Sequence, residues 1–214
     1  MSGDRRAVGG EHGPSAVELL PRFKRDGCNL LVSGAVSEST ANRASQRLLG
    51  SPDLDRKRVL VRTGESGPVD GLLPPGVSTA DRSVRVVQHR TPSDDGDGGD
   101  SLATLSRRVA ETVTAFDSLS PPLVGGELRL VVTSLDALLA DHDVRATERF
   151  LRSVTDAVSS VRGMGHYRYP GPRADLSSLP TERLFDAFVD LRDTPATEQR
   201  LSIPPSRSTD WLDL

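Results

Sequence analysis

The chain has 214 residues, of which 36% are hydrophobic, 27% are charged and only 4% are aromatic, so aliphatic side chains must build its core. Its formal net charge of −3 argues against the broad basic surface that general nucleic-acid binding requires, so we expect no nucleic-acid partner. No run of about 18 uncharged apolar residues occurs, which excludes a membrane-spanning helix of ordinary length.

The N-terminal residues 1–15 are rich in glycine and polar side chains, and this composition predicts disorder. The same stretch lacks the apolar segment of a secretory signal. Cys28 is the only cysteine, so the sequence excludes an intramolecular disulfide and a multi-cysteine metal site. These features predict a cytoplasmic protein without a metal centre.

Short aliphatic runs without alternation predict strands that are buried on both faces of a sheet. They occur at 29–33, 59–61, 84–87 and 128–132, and further strand candidates lie at 166–169 and 200–203. Apolar stripes at helical spacing, or capped polar segments, predict helices between them. These are expected at 40–49, at 102–116 after a cap at Asp100 or Ser101, at 144–161 and at 181–191, although 189–191 also fits the start of a strand. The acidic segment 91–100, TPSDDGDGGD, is typical of a flexible loop.

The alternation of strands and helices predicts an α/β domain with a mostly parallel sheet and helices on both faces. No linker separates two plausible cores, so residues 16–214 are expected to form a single domain. Ligands of such sheets bind at the carboxyl ends of the strands. The first strand, turn and helix are therefore the first place to look for a site.

That segment partly follows the phosphate-binding pattern of Gly, four residues, Gly, Lys and then Ser or Thr. Gly34 fits the first glycine. The next three pattern positions, which should hold glycine, lysine and a magnesium-binding hydroxyl, are occupied by Ser39, Thr40 and Ala41. Glu38 adds a negative charge where a phosphate would sit, whereas the missing lysine would supply a positive one.

The order of these segments resembles the RecA superfamily of P-loop ATPases, especially its KaiC-like branch, over residues 21–211. The resemblance implies a catalytic glutamate after the second strand, and Glu65 falls near that position. The segment 128–135 resembles a Walker B strand in which Thr133 replaces the aspartate, and Asp136 lies three residues late. The matches are closest to degenerate RecA-like domains of halophilic archaea.

The charged residues are consistent with such a source. Only two of the 27 basic residues are lysine, and 21 aspartates outnumber nine glutamates. This usage resembles that of halophilic archaea, where surface carboxylates keep proteins soluble in salt, and it also fits the codon bias of a GC-rich genome.

The missing Walker residues lead us to expect no ATP hydrolysis, no catalytic residue and no required cofactor, because positioning and charge stabilisation make up most of phosphoryl-transfer catalysis. The expected role is a regulatory or signalling interaction module with a protein partner or with itself. One alternative is an ATP sensor that binds nucleotide through the amides between Ser37 and Ala41 without hydrolysing it. Another alternative is a subunit of a homo-oligomeric assembly.

Several side chains have a structural and a functional interpretation. His142 lies in an Asp-His-Asp triplet that suggests a metal, but Asp143 is better explained as a helix N-cap. His166 and Tyr167 are candidates either for packing or for lining a pocket at a strand end. The tail with Trp211 fits both a docking peptide and a cover for a sheet edge. A response-regulator receiver is excluded, because no acidic pair follows the first strand.

Overall fold

The computed structural model describes residues 21–23, 25–64, 69–89, 101–119, 121–205 and 207–214. Three expectations lie outside the described residues: the disorder of 1–15, the flexibility of the acidic segment 91–100 and the role of Glu65.

The first half of the chain alternates strands and helices as expected. Its elements are β1 (Cys28–Ser33), α1 (Glu38–Leu49), β2 (Lys57–Arg62), a 3-10 turn (Val69–Leu72), β3 (Val84–Gln88), α2 (Leu102–Asp117) and β4 (Leu128–Val132). The second half has more strands. Its elements are α3 (Leu135–Asp141), α4 (Val144–Ser160), β5 (Met164–Tyr169), a second 3-10 turn (Arg173–Leu176), α5 (Thr181–Leu184), β6 (Ala187–Arg192), β7 (Glu198–Ile203), β8 (Arg207–Ser208) and β9 (Leu212–Asp213).

The nine strands found among the described residues form one sheet in the order β3-β2-β4-β5-β1-β6-β7-β8, with β9 also paired to β7. The six strands from β3 to β6 are parallel, and β7, β8 and β9 add antiparallel pairings. The expected α/β class with a mostly parallel sheet is therefore confirmed. Because β1 lies between β5 and β6, the turn that follows it sits near the middle of the carboxyl edge.

Helices cover both faces of the sheet. On one face, α2 and α4 bury their apolar stripes against side chains of β2 and β4 such as Val59, Leu130 and Val132. On the other face, α1 packs Ala44 and Leu49 into smaller clusters. Asp143 caps α4 as expected, since its carboxylate accepts a hydrogen bond of 2.7 Å from the amide of Ala146.

Two buried arginines anchor the carboxyl end of α1 to the sheet. Arg58 of β2 donates hydrogen bonds to the carbonyls of Leu49 and Gly50, at 3.2 Å each, and Arg129 of β4 donates to the carbonyl of Leu48 at 3.2 Å. Cations at this end also complement the helix dipole. Burial lowers the pKa of Arg129 to about 10. With its carboxyl end held here, α1 directs its N-terminus to the carboxyl edge of the sheet.

The structure differs from the predicted element order at several points, and strands β8 and β9 were among the elements not predicted. The helix expected at 181–191 ends after one turn, and β6 follows because its backbone pairs with both β1 and β7. Helix α1 begins at Glu38, two residues early, because Ser37 caps it. Helix α3 was not predicted, although Leu135 and Leu138 are buried at helical spacing.

The C-terminal tail lies on the sheet. Strand β9 pairs with β7, and Leu214 is buried beside Val32 and Val189. The tail therefore covers part of the sheet, which is one of the two roles that the sequence suggested for it. No helix in the described parts of the chain is long and apolar enough to span a bilayer.

Candidate functional site at the N-terminus of helix α1

A cavity of about 410 Å³ opens at the carboxyl ends of β1, β4 and β5, beside the first turn of α1. We call it the α1 cavity. Its lining brings together five residues that the sequence singled out, which are Gly34, Glu38, Ala41, Thr133 and Asp136. They come from segments about a hundred residues apart in the chain, so the fold places the two predicted motif regions at one site.

The turn before α1 is short, because only four residues separate Ser33 from Glu38. Gly34 has a φ of +153°, and a Cβ at this position would lie 2.4 Å from the carbonyl oxygen of Leu191. The close approach of β6 therefore requires glycine here for reasons of packing. The first glycine of the phosphate-binding pattern has a structural role that needs no phosphate.

A carboxylate of the chain itself lies at the N-terminus of α1. Asp193, just after β6, accepts a 2.7 Å hydrogen bond from the amide of Ser37 and a 2.6 Å hydrogen bond from the hydroxyl of Thr40. The Ser37 hydroxyl in turn accepts from the amide of Thr40 at 3.3 Å. The hydrogen bonds from Ser37 and Thr40 lower the pKa of Asp193. The end of the helix that favours anions is thus already in contact with one.

Sequence reasoning missed Asp193, because 156 residues separate it from Ser37 and no local pattern marks it. It assigned Ser37, Ser39 and Thr40 to a phosphate loop. In the structure Ser37 is the N-cap of α1, Thr40 lies buried in the first turn, and Ser39 is exposed beside them.

Thr133, which the sequence resemblance places at the position of a Walker B aspartate, forms reciprocal hydrogen bonds with Thr63. Its hydroxyl accepts from the amide of Thr63 at 3.0 Å and donates to the Thr63 carbonyl at 3.3 Å. The hydroxyl of Thr63 donates to the carbonyl of Ser134 at 2.6 Å and accepts from its amide at 2.9 Å. Both threonines are buried. These hydrogen bonds join the carboxyl ends of β2 and β4. The Thr133 hydroxyl is therefore already engaged in holding the two strand ends together.

Arg168 of β5 supplies the cation of the α1 cavity, and the sequence did not reveal it. Its guanidinium donates a 3.0 Å hydrogen bond to the side chain of Asn42 in α1. Burial lowers the pKa of Arg168, while the carboxylates of Glu38 and Asp136 act in the opposite direction. The strand pattern contained a signal, because alternate residues of β5 face α1 and residue 168 is the one nearest the carboxyl edge.

His166 and Tyr167 belong to the interior. His166 is 2% exposed, and burial lowers its pKa to about 3, so its imidazole is neutral. The Tyr167 hydroxyl donates a 2.9 Å hydrogen bond to the side chain of Asn29. Of the two interpretations of these residues, packing is therefore correct.

These groups fit magnesium-ATP poorly. Among the described residues, the charged lining of the α1 cavity is one guanidinium, from Arg168, and two carboxylates, from Glu38 and Asp136. Asp193 adds a third carboxylate at the helix end. A triphosphate is strongly anionic, so like charges oppose it. Within the described ranges, His, Cys, Asp and Glu side chains form no group of three or more that could hold a metal ion.

Two of three comparisons found proteins that are similar to this chain. A model of the family of unknown function DUF7504 matches residues 27–191. The crystal structure of KaiC-like protein PH0186 from the hyperthermophilic archaeon Pyrococcus horikoshii OT3 is similar, with a TM-score of 0.57 and 13% identity over 86% of this chain and 82% of that chain. At that identity the similarity shows the fold alone, and it confirms the expected RecA/KaiC-like fold. No curated protein matched the chain.

Proposed function

The chain belongs to the DUF7504 family of unknown function and has a RecA/KaiC-like fold, and from this premise we propose that it is a non-catalytic domain that acts as a regulatory or signalling interaction module. The contact between Asp193 and the N-terminus of α1 is the observation that carries the proposal. P-loop proteins use this end of the helix for phosphate, and here the chain places its own carboxylate against it.

The charges around the α1 cavity support the same conclusion. In phosphoryl transfer, a lysine and a magnesium ion neutralise the charge that develops on the phosphates. Here Thr40 stands at the lysine position, and its hydroxyl is engaged with Asp193. Among the described residues that line this cavity, the one arginine is Arg168, which donates a hydrogen bond to Asn42 and lies within the electrostatic reach of two carboxylates.

The residues at the positions that would bind magnesium also support the non-catalytic proposal. Ala41 carries no hydroxyl, and Thr133 uses its hydroxyl to join β2 to β4. Asp136, three residues later, is at the start of α3 and accepts a hydrogen bond from the hydroxyl of Ser134. We infer that magnesium would lack both of its usual protein ligands.

Calorimetry with ATP tests the proposal, with and without magnesium, in low salt and in molar potassium chloride, on protein shown to be folded by circular dichroism. We expect no heat of binding and no release of phosphate. An Asp193→Asn variant, which removes the carboxylate charge, is expected to gain weak binding of inorganic phosphate but no turnover. Asp156→Asn, an exposed change of the same charge on α4, is the control and is expected to gain nothing.

Two results would favour other functions. Magnesium-dependent ATP turnover that a Glu65→Gln substitution abolishes would contradict the non-catalytic proposal. Tight ATP binding without turnover would favour the sensor alternative. The assembly alternative is tested by sedimentation at high protein concentration, where a purely monomeric profile counts against it.

A further inference from the structure

A groove runs along the outer edge of the sheet, between β3 and α2, and shares no lining residue with the α1 cavity. Its volume is about 710 Å³, and we call it the β3 groove. Two of its lining residues, Val86 and Leu119, are large apolar side chains that are 39% and 49% exposed. Leu119 gives this groove an exposed apolar side chain, which the described part of the chain does not cover. Arg85 and Val87 face α2, so the alternating Val86 contributes its backbone edge to the groove and points its side chain to the opposite face of the sheet.

The backbone of β3 has one side without a strand partner among the described residues. Strand β3 is the first in the sheet order and pairs only with β2 there. The amide of Arg58 donates to the carbonyl of Ser83, and the amide of His89 donates to the carbonyl of Arg62, so the odd-numbered residues of β3 face β2. Because main-chain groups alternate in direction along a strand, the N–H and C=O of Val86 point to the outer edge.

Arginine side chains lie across this edge. Arg85 donates hydrogen bonds to the carbonyl of Val84 at 2.7 Å and to the carbonyl of Arg82 at 3.0 Å, and its guanidinium lies 5.4 Å from the ring centre of Phe116. Arg108 of α2 donates to the carbonyl of Gln88 at 2.9 Å. Among the described lining residues, three arginines and one glutamate, Glu111, carry charge, so this part of the β3 groove is basic on a chain whose net charge is negative.

We propose that the β3 groove binds an extended acidic segment of a partner protein, which adds to the edge of the sheet as a further strand. The main-chain groups of Val86 would pair with the new strand, as in other cases of strand addition. Carboxylates of the segment would contact Arg82 and Arg85, and an apolar side chain of the segment would cover Leu119. The proposal deepens the proposed function, because it names the surface and the partner chemistry of the interaction module.

Charge also selects among possible occupants. Two copies of this chain that met at β3 would bring two sets of arginines together, and like charges across an interface oppose association. Charged side chains at an edge strand also prevent uncontrolled pairing. The carboxylates of an acidic strand would instead form ion pairs with the same arginines. The edge would therefore exclude most strands and bind acidic ones.

The probe for the experiment is a fluorescent synthetic peptide, Asp-Val-Asp-Val-Asp-Val-Asp, whose binding is followed by anisotropy in low and high salt. A Lys-Val peptide of the same length and a version with a central proline are the control peptides. We expect binding of the acidic peptide alone, weakened by salt and weakened about tenfold or more by Arg85→Glu, which reverses one charge. Arg145→Glu on α4 makes the same charge change at an exposed position away from the groove and is expected to bind normally.

Amide hydrogen exchange adds a readout for strand pairing. On peptide binding we expect slower exchange at Val86 and unchanged exchange in β5, and Arg85→Gln serves as a milder variant if Arg85→Glu fails to fold. Absence of binding to folded protein, equal weakening by Arg145→Glu, or a dimer that Arg85→Glu dissociates would each overturn the proposal. ATP titration tests the α1 cavity separately, so peptide binding together with ATP turnover would refute only the non-catalytic role.

Discussion

The carboxylate of Asp193 lies 2.7 Å from the main-chain nitrogen of Ser37 and thereby joins the exit of β6 to the N-terminus of α1. Strands β1 and β6 are neighbours in the sheet, so the two residues are brought together by the parallel pairing of those strands. The contact combines a helix cap with a bridge between two turns. It also shows how a turn that partly follows a phosphate-binding pattern is held in place by a group of the chain itself.

The first prediction concerns the pH dependence of this contact. The hydrogen bonds lower the pKa of Asp193 in the folded state, so the carboxylate stabilises the fold above the unfolded pKa of about 3.9 and loses that effect as the pH falls through the lower folded value. Asp193→Asn should therefore lower the free energy of unfolding at pH 7, and its difference from wild type should shrink in acid. Urea unfolding at a series of pH values measures this, and a constant difference across the series would contradict it.

The second prediction separates packing from phosphate binding at Gly34. Gly34→Ala would place a methyl group 2.4 Å from the carbonyl oxygen of Leu191, at a φ of +153°. We therefore expect the free energy of unfolding to fall by more than about 1 kcal/mol, even though no nucleotide is present. Gly76→Ala is the matched control, because Gly76 has a φ of +85° but open space around it. Thermal unfolding of both variants should show a clearly larger loss for Gly34→Ala. Equal losses would mean that backbone strain alone requires glycine.

The third prediction concerns the threonine pair at the exits of β2 and β4. Thr133→Val keeps the shape of the side chain but leaves the buried amide of Thr63 without its hydroxyl acceptor, which should cost about 1–3 kcal/mol. Thr114→Val, on the exposed face of α2, makes the same chemical change and should cost much less. Urea unfolding of the two variants provides the comparison. Similar values for both would show that the Thr133 hydroxyl does not hold the sheet edge.

Local sequence patterns were sufficient for most of the fold. Strand β4 has the predicted bounds, Leu128–Val132, and the stripe that predicted α2 is buried along its length. The same patterns failed at β6, because its strand conformation depends on pairing with β1 and β7 rather than on its own periodicity. A short apolar run does not contain that information.

The candidate site was predictable only where a motif marked it. The pattern after β1 and the resemblance to a Walker B strand singled out Gly34 and Thr133, and the fold places both at the α1 cavity. The residues that engage those segments, Asp193 and Thr63, come from other turns and carry no motif. Arg168 was missed because one charged residue in a predicted strand is usually solvent-exposed. Such contacts follow from strand order, which the sequence alone did not specify.

The last prediction concerns Trp211, which holds the tail against the sheet. The guanidinium carbons of Arg192 and Arg200 lie 4.1 Å and 4.8 Å from the centre of its ring. The same two arginines pair with Glu198 and Asp190, so the ring covers two ion pairs between β6 and β7.

Trp211→Leu keeps most of the apolar contact but removes the aromatic face, and we expect a loss of about 0.5–2 kcal/mol. Trp211→Phe retains an aromatic ring with a weaker cation–π interaction, so it should lose less stability. Unfolding free energies and amide exchange in β7 measure the two effects, with faster exchange expected for Trp211→Leu. If both variants lose the same stability and exchange alike, apolar contact rather than the cation–π geometry fastens the tail. The order Leu, Phe, Trp of increasing stability would show instead that the two arginines recognise the ring itself.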